Sequence, residues 1–229
     1  MQSKISKRFK KLKDLQVNKK IETIDDAIKK IKINCTSKFN ESIDVSFKLN
    51  LKQKKTDVGL RTLVNLPHGN GRKIKVAVLC EENKTEEAKT SGADIYDAEK
   101  LLKDINVGKI KFDKMIATPA MMPKIGKLAK VLGPKGLMPN PKLGTVTNDI
   151  SKVVKLIKSG QIEIKNDKDG NLSASIGKKD FSDDKIKNNY NSVFEAISKE
   201  KPSGLKGNFI TSTYLTSTMG ISYKLKSGV

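Results

Sequence analysis

The hydrophobic period of this chain changes twice, and the order of the changes limits the folds open to it. Ile43, Val45, Phe47, Leu49 and Leu51 alternate with polar residues from residue 39 onward, the pattern of a strand with one buried and one wet face. Leu60, Thr62, Val64 and Leu66 repeat the pattern, and two such strands imply an antiparallel sheet. Residues 74–80 (IKVAVLC) and 114–118 (KMIAT) are instead short, nearly continuous apolar runs, as expected of strands covered on both faces. Helical patterns at 84–91, 98–107, 121–132 and 148–159 follow them, with Pro123 in the first turn of the third and Asn148 or Asp149 as cap of the fourth. That strand–helix rhythm implies a parallel sheet with helices on its faces.

Alternation returns at the end. Ile162 and Ile164, a turn at 167–170 (DKDG), then Leu172, Ala174 and Ile176 read as a hairpin. Residues 181–199 form an amphipathic helix, and 207–226 a final strand or strand pair. Near the start, 3–16 reads as a lysine-faced helix. Thr23 reads as the cap of a second helix, with Asp26 three residues on. The economical fold class is mixed α/β and α+β in two domains. A Rossmann-like α/β domain, residues 68–159, is inserted into a discontinuous α+β domain with an antiparallel sheet, residues 1–67 and 160–229.

Residues 132–147 (LGPKGLMPNPKLGTVT) hold Gly133, Gly136 and Gly144 with Pro134, Pro139 and Pro141. Proline lacks the backbone donor and restricts the residue before it, so helix and strand are both excluded. The stretch also carries Leu132, Leu137, Met138, Leu143 and Val146. It is either a buried structural loop or a binding loop.

Charge narrows the function. Lys and Arg number 46 against 25 Asp and Glu, a net +21, and such a surface concentrates polyanions, nucleic acid above all. Residues 1–20 hold Lys4, Lys7, Arg8, Lys10, Lys11, Lys13, Lys19 and Lys20 against Asp14 alone. No acid stands between Asp113 and Asp149, or after Glu200. No apolar run approaches the roughly 18 residues of a membrane span, and no apolar segment follows the basic start as in a secretory signal. Cys35 and Cys80 lack metal-ligand spacing and read as reduced core thiols of a cytoplasmic protein.

Enzyme chemistry finds little footing. His68 is the only histidine and sits in a Pro-His-Gly-Asn-Gly turn. The Walker loop is missing, and Ile74 breaks the dinucleotide fingerprint that Gly69 and Gly71 begin. A nucleotide-binding α/β enzyme is therefore the weaker alternative, and a DNA repressor lacks a helix-turn-helix or a dimeric basic helix. Residues 211–218 (TSTYLTST) carry hydroxyls at seven of eight positions. Hydroxyls both donate and accept, so they suit ribose 2′-OH and phosphate oxygens; threonine also simply favours strands. Phe39 is either a base-stacking ring or core.

The stretch GPKGLMPNPKLGTVT closely resembles the signature of the ribosomal protein L1 family, the stalk proteins of the large ribosomal subunit. The resemblance runs from SKRFKKL (6–12) to TSTMG (216–220). It implies the same inserted-domain fold, with RNA contact in the two-segment domain. The carried positions are Lys38, Phe39 and Ser42 on the first strand and Thr218, Met219 and Gly220 near the end. Asp26 and Ser212 also match, and Lys7, Arg8, Lys165, Asn166 and Lys168 match basic or polar family positions. Ile221-Ser222 stands where the family usually continues with proline, and Ser42 where it usually has threonine. The resemblance implies a ribosomal, cytoplasmic protein with no cofactor, partnered by large-subunit rRNA, exit-site tRNA and the rest of the large subunit. In many bacterial members it implies repression of translation through own-operon mRNA as well.

Overall fold

The alternating and the continuous stretches end up in different sheets. The computed structural model describes residues 6–15, 21–50, 60–202 and 207–226. Their helices are α1 (Lys7–Leu15), α2 (Ile24–Asn34), α3 (Thr85–Thr90), α4 (Ala98–Asn106), α5 (Met122–Gly126), α6 (Ala129–Leu132), α7 (Ile150–Ser159) and α8 (Asp183–Lys199). Their strands are β1 (Ser42–Leu49), β2 (Arg61–Asn65), β3 (Val76–Leu79), β4 (Lys114–Ala117), β5 (Gln161–Lys165), β6 (Asn171–Lys178), β7 (Ile210–Ser217) and β8 (Ser222–Leu225). The chain divides into two compact units, Met1–Gly71 with Ile162–Val229, and Arg72–Gln161.

In the two-segment unit, four strands form a sheet in the order β6-β1-β7-β8. β1 lies antiparallel to both neighbours, with Val45 opposite Ala174 and Leu215. The two-residue period sends Ile43, Val45, Phe47 and Leu49 to the buried face and leaves Ser42, Asp44, Ser46 and Lys48 on the other. Helices α2 and α8 cover the apolar face, where Ile28, Ile31, Ile186 and Val193 share one core with Val45 and Leu215. The ring of Phe47, whose burial contributes about 1.5–3 kcal/mol, lies 6.2 Å from that of Tyr190. Helix α2 starts where the Thr23 hydroxyl accepts the Asp26 N–H at 3.3 Å and donates to the Asp26 carboxylate at 2.7 Å. This satisfies one of the donors a helix leaves open at its start. Buried Asn189 accepts the His68 N–H and donates to the Gly69 and Ile176 carbonyls, which gives the histidine turn a structural role.

Four details differ from the sequence reading. Lys38 and Phe39 do not open β1 but lie in the bend before it, because pairing with β6 and β7 begins only at Ser42 and Ile43. The two alternating strands do not pair with each other: β2 pairs with β5, and β1 with β6 and β7. The turn at 167–170 is tight, since Asp167 accepts the Asp169 and Asn171 N–H groups. Yet the hairpin stops at the Asn166–Leu172 bridge, after which β5 and β6 enter different sheets. The helix read over 121–132 breaks between Gly126 and Ala129 into α5 and α6. Residues 3–5 and 16 of the first helix, and Leu51, lie outside the described residues.

In the central unit, β3 and β4 run parallel with Val78 beside Ile116. Single bridges add Ile95 beside Ala77 and Val146 beside Ala117. Ala77, Leu79, Met115 and Ala117 face one core, while Val76, Val78 and Ile116 face another. Both faces are therefore covered, as the unbroken apolar runs require. Asp149 stands at the start of α7 without a side-chain cap, and Glu87 instead accepts the Ser151 N–H and hydroxyl.

The Gly/Pro stretch is ordered in this unit. Asn140 accepts the Lys142 N–H, and Gly144 takes the left-handed φ of 62° that ends the turn. The Thr145 carbonyl accepts the Ala117 N–H at 3.0 Å, so the stretch docks along β4. Leu132, Leu137 and Met138 enter the unit's core. Lys135 and Lys142 remain exposed.

Candidate nucleic-acid interface

Thr218, Met219 and Gly220 join β7 to β8, and their turn is fixed from the start of β1. The Thr218 hydroxyl accepts the Ser42 N–H at 3.1 Å and donates to the Ser42 carbonyl at 3.3 Å. The Thr218 N–H donates to that same carbonyl at 3.1 Å. The next residue is tied by Glu41, whose Oε2 accepts the Met219 N–H at 3.1 Å while its Oε1 accepts the Ser37 N–H at 3.2 Å. One carboxylate thus holds the bend that carries Phe39 and the turn that carries Met219.

Glu41 is fully buried. Burial pushes its carboxyl pKa up, but hydrogen bonds from Ser37, Ser217 and the Met219 N–H more than offset this and hold it below the ordinary value. Cys35 lies beside it, and burial pushes that thiol up despite a hydrogen bond with Ser217. Gly220 answers to the same crowding. Its φ is not positive, but a Cβ there would come 2.3 Å from the Ser217 hydroxyl oxygen. Phe39 and Met219 project from this frame, 52% and 46% exposed. Their apolar surface is available to stack on or pack against a base. Arg8 of α1 donates to the Thr36 hydroxyl and to the Met219 carbonyl, both at 3.2 Å.

The structure sorts the sequence-derived residues into two groups. Arg8, Lys38, Phe39, Ser42, Thr218, Met219 and Gly220 lie at the Ser42 end of β1, and exposed Lys7 is the residue before Arg8 on α1. Lys165, Asn166 and Lys168 lie at the other end, beside the turn whose Gly170 carbonyl accepts the Leu49 N–H. Ser212 belongs there too, paired with Lys48, which itself donates to the Asp169 carbonyl at 2.7 Å. At about 3.4 Å per residue the length of β1 puts the groups roughly 24 Å apart. Asp26 is engaged in the α2 cap.

Two residues escaped the sequence reading. Glu41 shares the parity of Ile43, Val45 and Phe47, and an acid on the apolar parity is a signal visible in the sequence. Tyr214 was counted only among the hydroxyls, yet it alternates with buried Thr213 and Leu215 and is 37% exposed. Among the described residues, no helix is long and apolar enough to cross a membrane.

The sequence has relatives. Residues 28–221 match the Ribosomal protein L1p/L10e family. The chain is 52% identical to the large ribosomal subunit protein uL1 of Pelagibacter ubique, over 97% of this chain and 98% of that protein. It is 46% identical to the protein of that name in Kosmotoga olearia, over 97% and 96%. For Rickettsia conorii the figures are 43% identity over 94% and 92%. With a match of this length running from α2 through the Met219 turn, the chain belongs to the Ribosomal protein L1p/L10e family, whose members are ribosomal proteins and not enzymes.

Proposed function

We propose that this protein is a structural constituent of the large ribosomal subunit and binds large-subunit rRNA directly through the two-segment unit. The observation that carries the reading is the Glu41 frame, which presents exposed Phe39 and Met219 beside Lys38 and Lys7. Apolar contact with bases and cationic contact with phosphates are the two halves of RNA recognition. The relatives' names, large ribosomal subunit protein uL1, support the assignment to that subunit and to the cytoplasmic ribosome.

In this reading the units are two domains, 1–67 with 160–229 carrying the RNA site and a Rossmann-like 68–159 inserted between. The unit boundaries at 71/72 and 161/162 support that division. Lys7, Arg8, Lys38, Phe39, Ser42, Thr218, Met219 and Gly220 form the primary contact. Lys165, Asn166, Lys168 and Ser212 form a separate contact at the far end of β1. The Gly/Pro stretch shapes the inserted domain. The protein helps release tRNA from the exit site and represses its own operon by binding mRNA that imitates the rRNA site.

Filter binding to a folded fragment of large-subunit rRNA across a salt series tests the reading. Each phosphate contact should contribute about −0.7 to −0.9 to the log–log slope. A flat response, or equal affinity for unrelated duplexes, would refute it.

A further inference from the structure

The Pro-His-Gly-Asn-Gly turn holds the one asparagine of the chain that is followed by glycine, Asn70-Gly71. The turn is pinned as far as Gly69. The Gly69 N–H donates to the Leu66 carbonyl at 3.1 Å, and Asn189 accepts the His68 N–H and donates to the Gly69 carbonyl. Beyond these pins Asn70 is half-buried and Gly71 is exposed. Among the described residues the Gly71 N–H has no hydrogen-bond acceptor. The fold demands glycine at 71, since its φ is 72° and a Cβ there would come 3.1 Å from the Lys178 side chain and 3.3 Å from the Phe181 ring. Directly after it, at 71/72, the chain passes from one compact unit to the other.

From this geometry we propose that Asn70 is a modification site, at which the folded protein deamidates through its own main chain with water as the only reagent. Asparagine is among the thermolabile side chains. The Gly71 nitrogen gives up its proton to water and bonds to Asn70 Cγ. The bond from Cγ to the side-chain nitrogen breaks, and that nitrogen takes a proton and leaves as ammonia. The five-membered imide that remains is opened by water at either of its two carbonyls. Opening at Cγ yields aspartate. Opening at the main-chain carbonyl yields isoaspartate, with the chain one methylene longer. The nucleophile has to be an amide nitrogen that no Cβ shields and no acceptor holds, and the left-handed φ at Gly71 supplies the first condition for a separate reason. Comparable pairs are held. Asp169-Gly170 can form the same imide, but its Gly170 N–H donates to the Asp167 carbonyl at 3.2 Å. Asn191-Ser192 lies inside α8, where the N–H groups are committed to the helix. The product bears on the fold as well. It adds a negative charge, and isoaspartate lengthens the main chain between the pinned turn and Arg72, which pairs with Asp113.

The test keeps the full-length protein in warm, mildly alkaline buffer and samples it over time, folded and in urea. Trypsin cuts after Arg61 and Arg72, so the peptide 62–72 carries the site, and fragmentation distinguishes Asn70 from Asn65. In the folded protein that peptide should gain about one dalton at Asn70 before any other asparagine reacts, with isoaspartate as the main product and a rate that rises with pH. Asn70→Gln should hold its mass over the same time, because the longer side chain would have to close a larger ring. Aged native protein should melt below fresh protein, and aged Asn70→Gln should melt as its fresh sample does. Asn70 that reacts in urea but stays intact in the folded protein overturns the proposal, because the fold then shields the pair. Aspartate without isoaspartate overturns the cyclic route. Unchanged melting after complete reaction overturns the effect on the turn. Should Asn70→Gln fold poorly, the native chain, which carries the site itself, still decides the first two points.

Discussion

Glu41 and Met219 are joined by one hydrogen bond of 3.1 Å, across 178 residues of sequence. Because the other oxygen of the same carboxylate takes the Ser37 N–H, the bond couples two exposed apolar side chains that neither segment could position alone.

Replacing Glu41 by Gln keeps one oxygen to accept one of the two N–H groups and turns an amide donor against the other. The cost should be about 1–3 kcal/mol, the usual penalty for a buried group left unsatisfied. The native carboxyl is held below its ordinary value of 4.5. Its contribution to stability is therefore complete above that pH and is lost as pH falls through the lower folded value. Melting temperature recorded from neutral pH down through acid should drop in the native protein below about pH 4.5, and Glu41→Gln should shed that part of the drop. Parallel acid limbs for the two proteins would remove Glu41 from the account.

Gly220→Ala should disturb the turn by pushing the Ser217 hydroxyl away, since the new Cβ would sit 2.3 Å from it. The Ser217 Cβ is 3.5 Å from the same point, an ordinary contact. Ser217→Ala should thus partly rescue Gly220→Ala, and the double variant should lose less rRNA affinity than the sum of the singles. Additive losses would mean that the glycine serves some other purpose.

Phe39→Ala and Met219→Ala remove exposed surface and should leave the melting curve nearly unchanged. Each should nevertheless weaken rRNA binding, Phe39→Ala by about 1–3 kcal/mol if its ring stacks on a base. Lys135→Ala, an exposed charge in the Gly/Pro stretch, should change binding far less. The reverse ranking in a filter assay at fixed salt would move the contact surface to the central unit.

Thr218→Val keeps shape and β-branching but loses the hydroxyl that bridges the Ser42 N–H and carbonyl. Thr218→Ser keeps the bridge. Valine should lower both melting temperature and rRNA affinity, and serine should restore most of each. Loss of affinity with unchanged melting in both variants would instead place the methyl group against RNA.

A deletion variant joining 1–71 to 162–229 through a short glycine-serine linker should fold and bind the rRNA fragment, because the core of this unit is separate from those of the central unit. A folded circular dichroism spectrum without binding would place the site in residues 72–161.

Local patterns were readable because their causes are local. The Thr23 cap needs only Asp26 three residues on, and the side-chain parity of β1 needs only its own five apolar residues. The 167–170 turn was legible for the same reason. Its continuation was not, because β5 takes β2 as partner from about 100 residues earlier, and no period records which edge a strand will meet. The site divides in the same way. Phe39 and Met219 enter the candidate site through the resemblance, not through any local pattern. The separation of Ser212 from Thr218 follows from its register opposite Lys48, which the sequence does not display.

Strand β1 sits between β6 and β7, both of which come far later in the chain. A polypeptide emerging from its N-terminus therefore has Phe39 and Glu41 in hand long before anything can hold them. The carboxylate meets its second loop only when residue 219 has emerged and β7 has docked. Prematurely ended products would keep the lysine-rich beginning without the Met219 turn. In the order of synthesis the proposed RNA contact is thus among the last features to form, and if it is the contact surface, fragments that stop early should be poor competitors for the RNA.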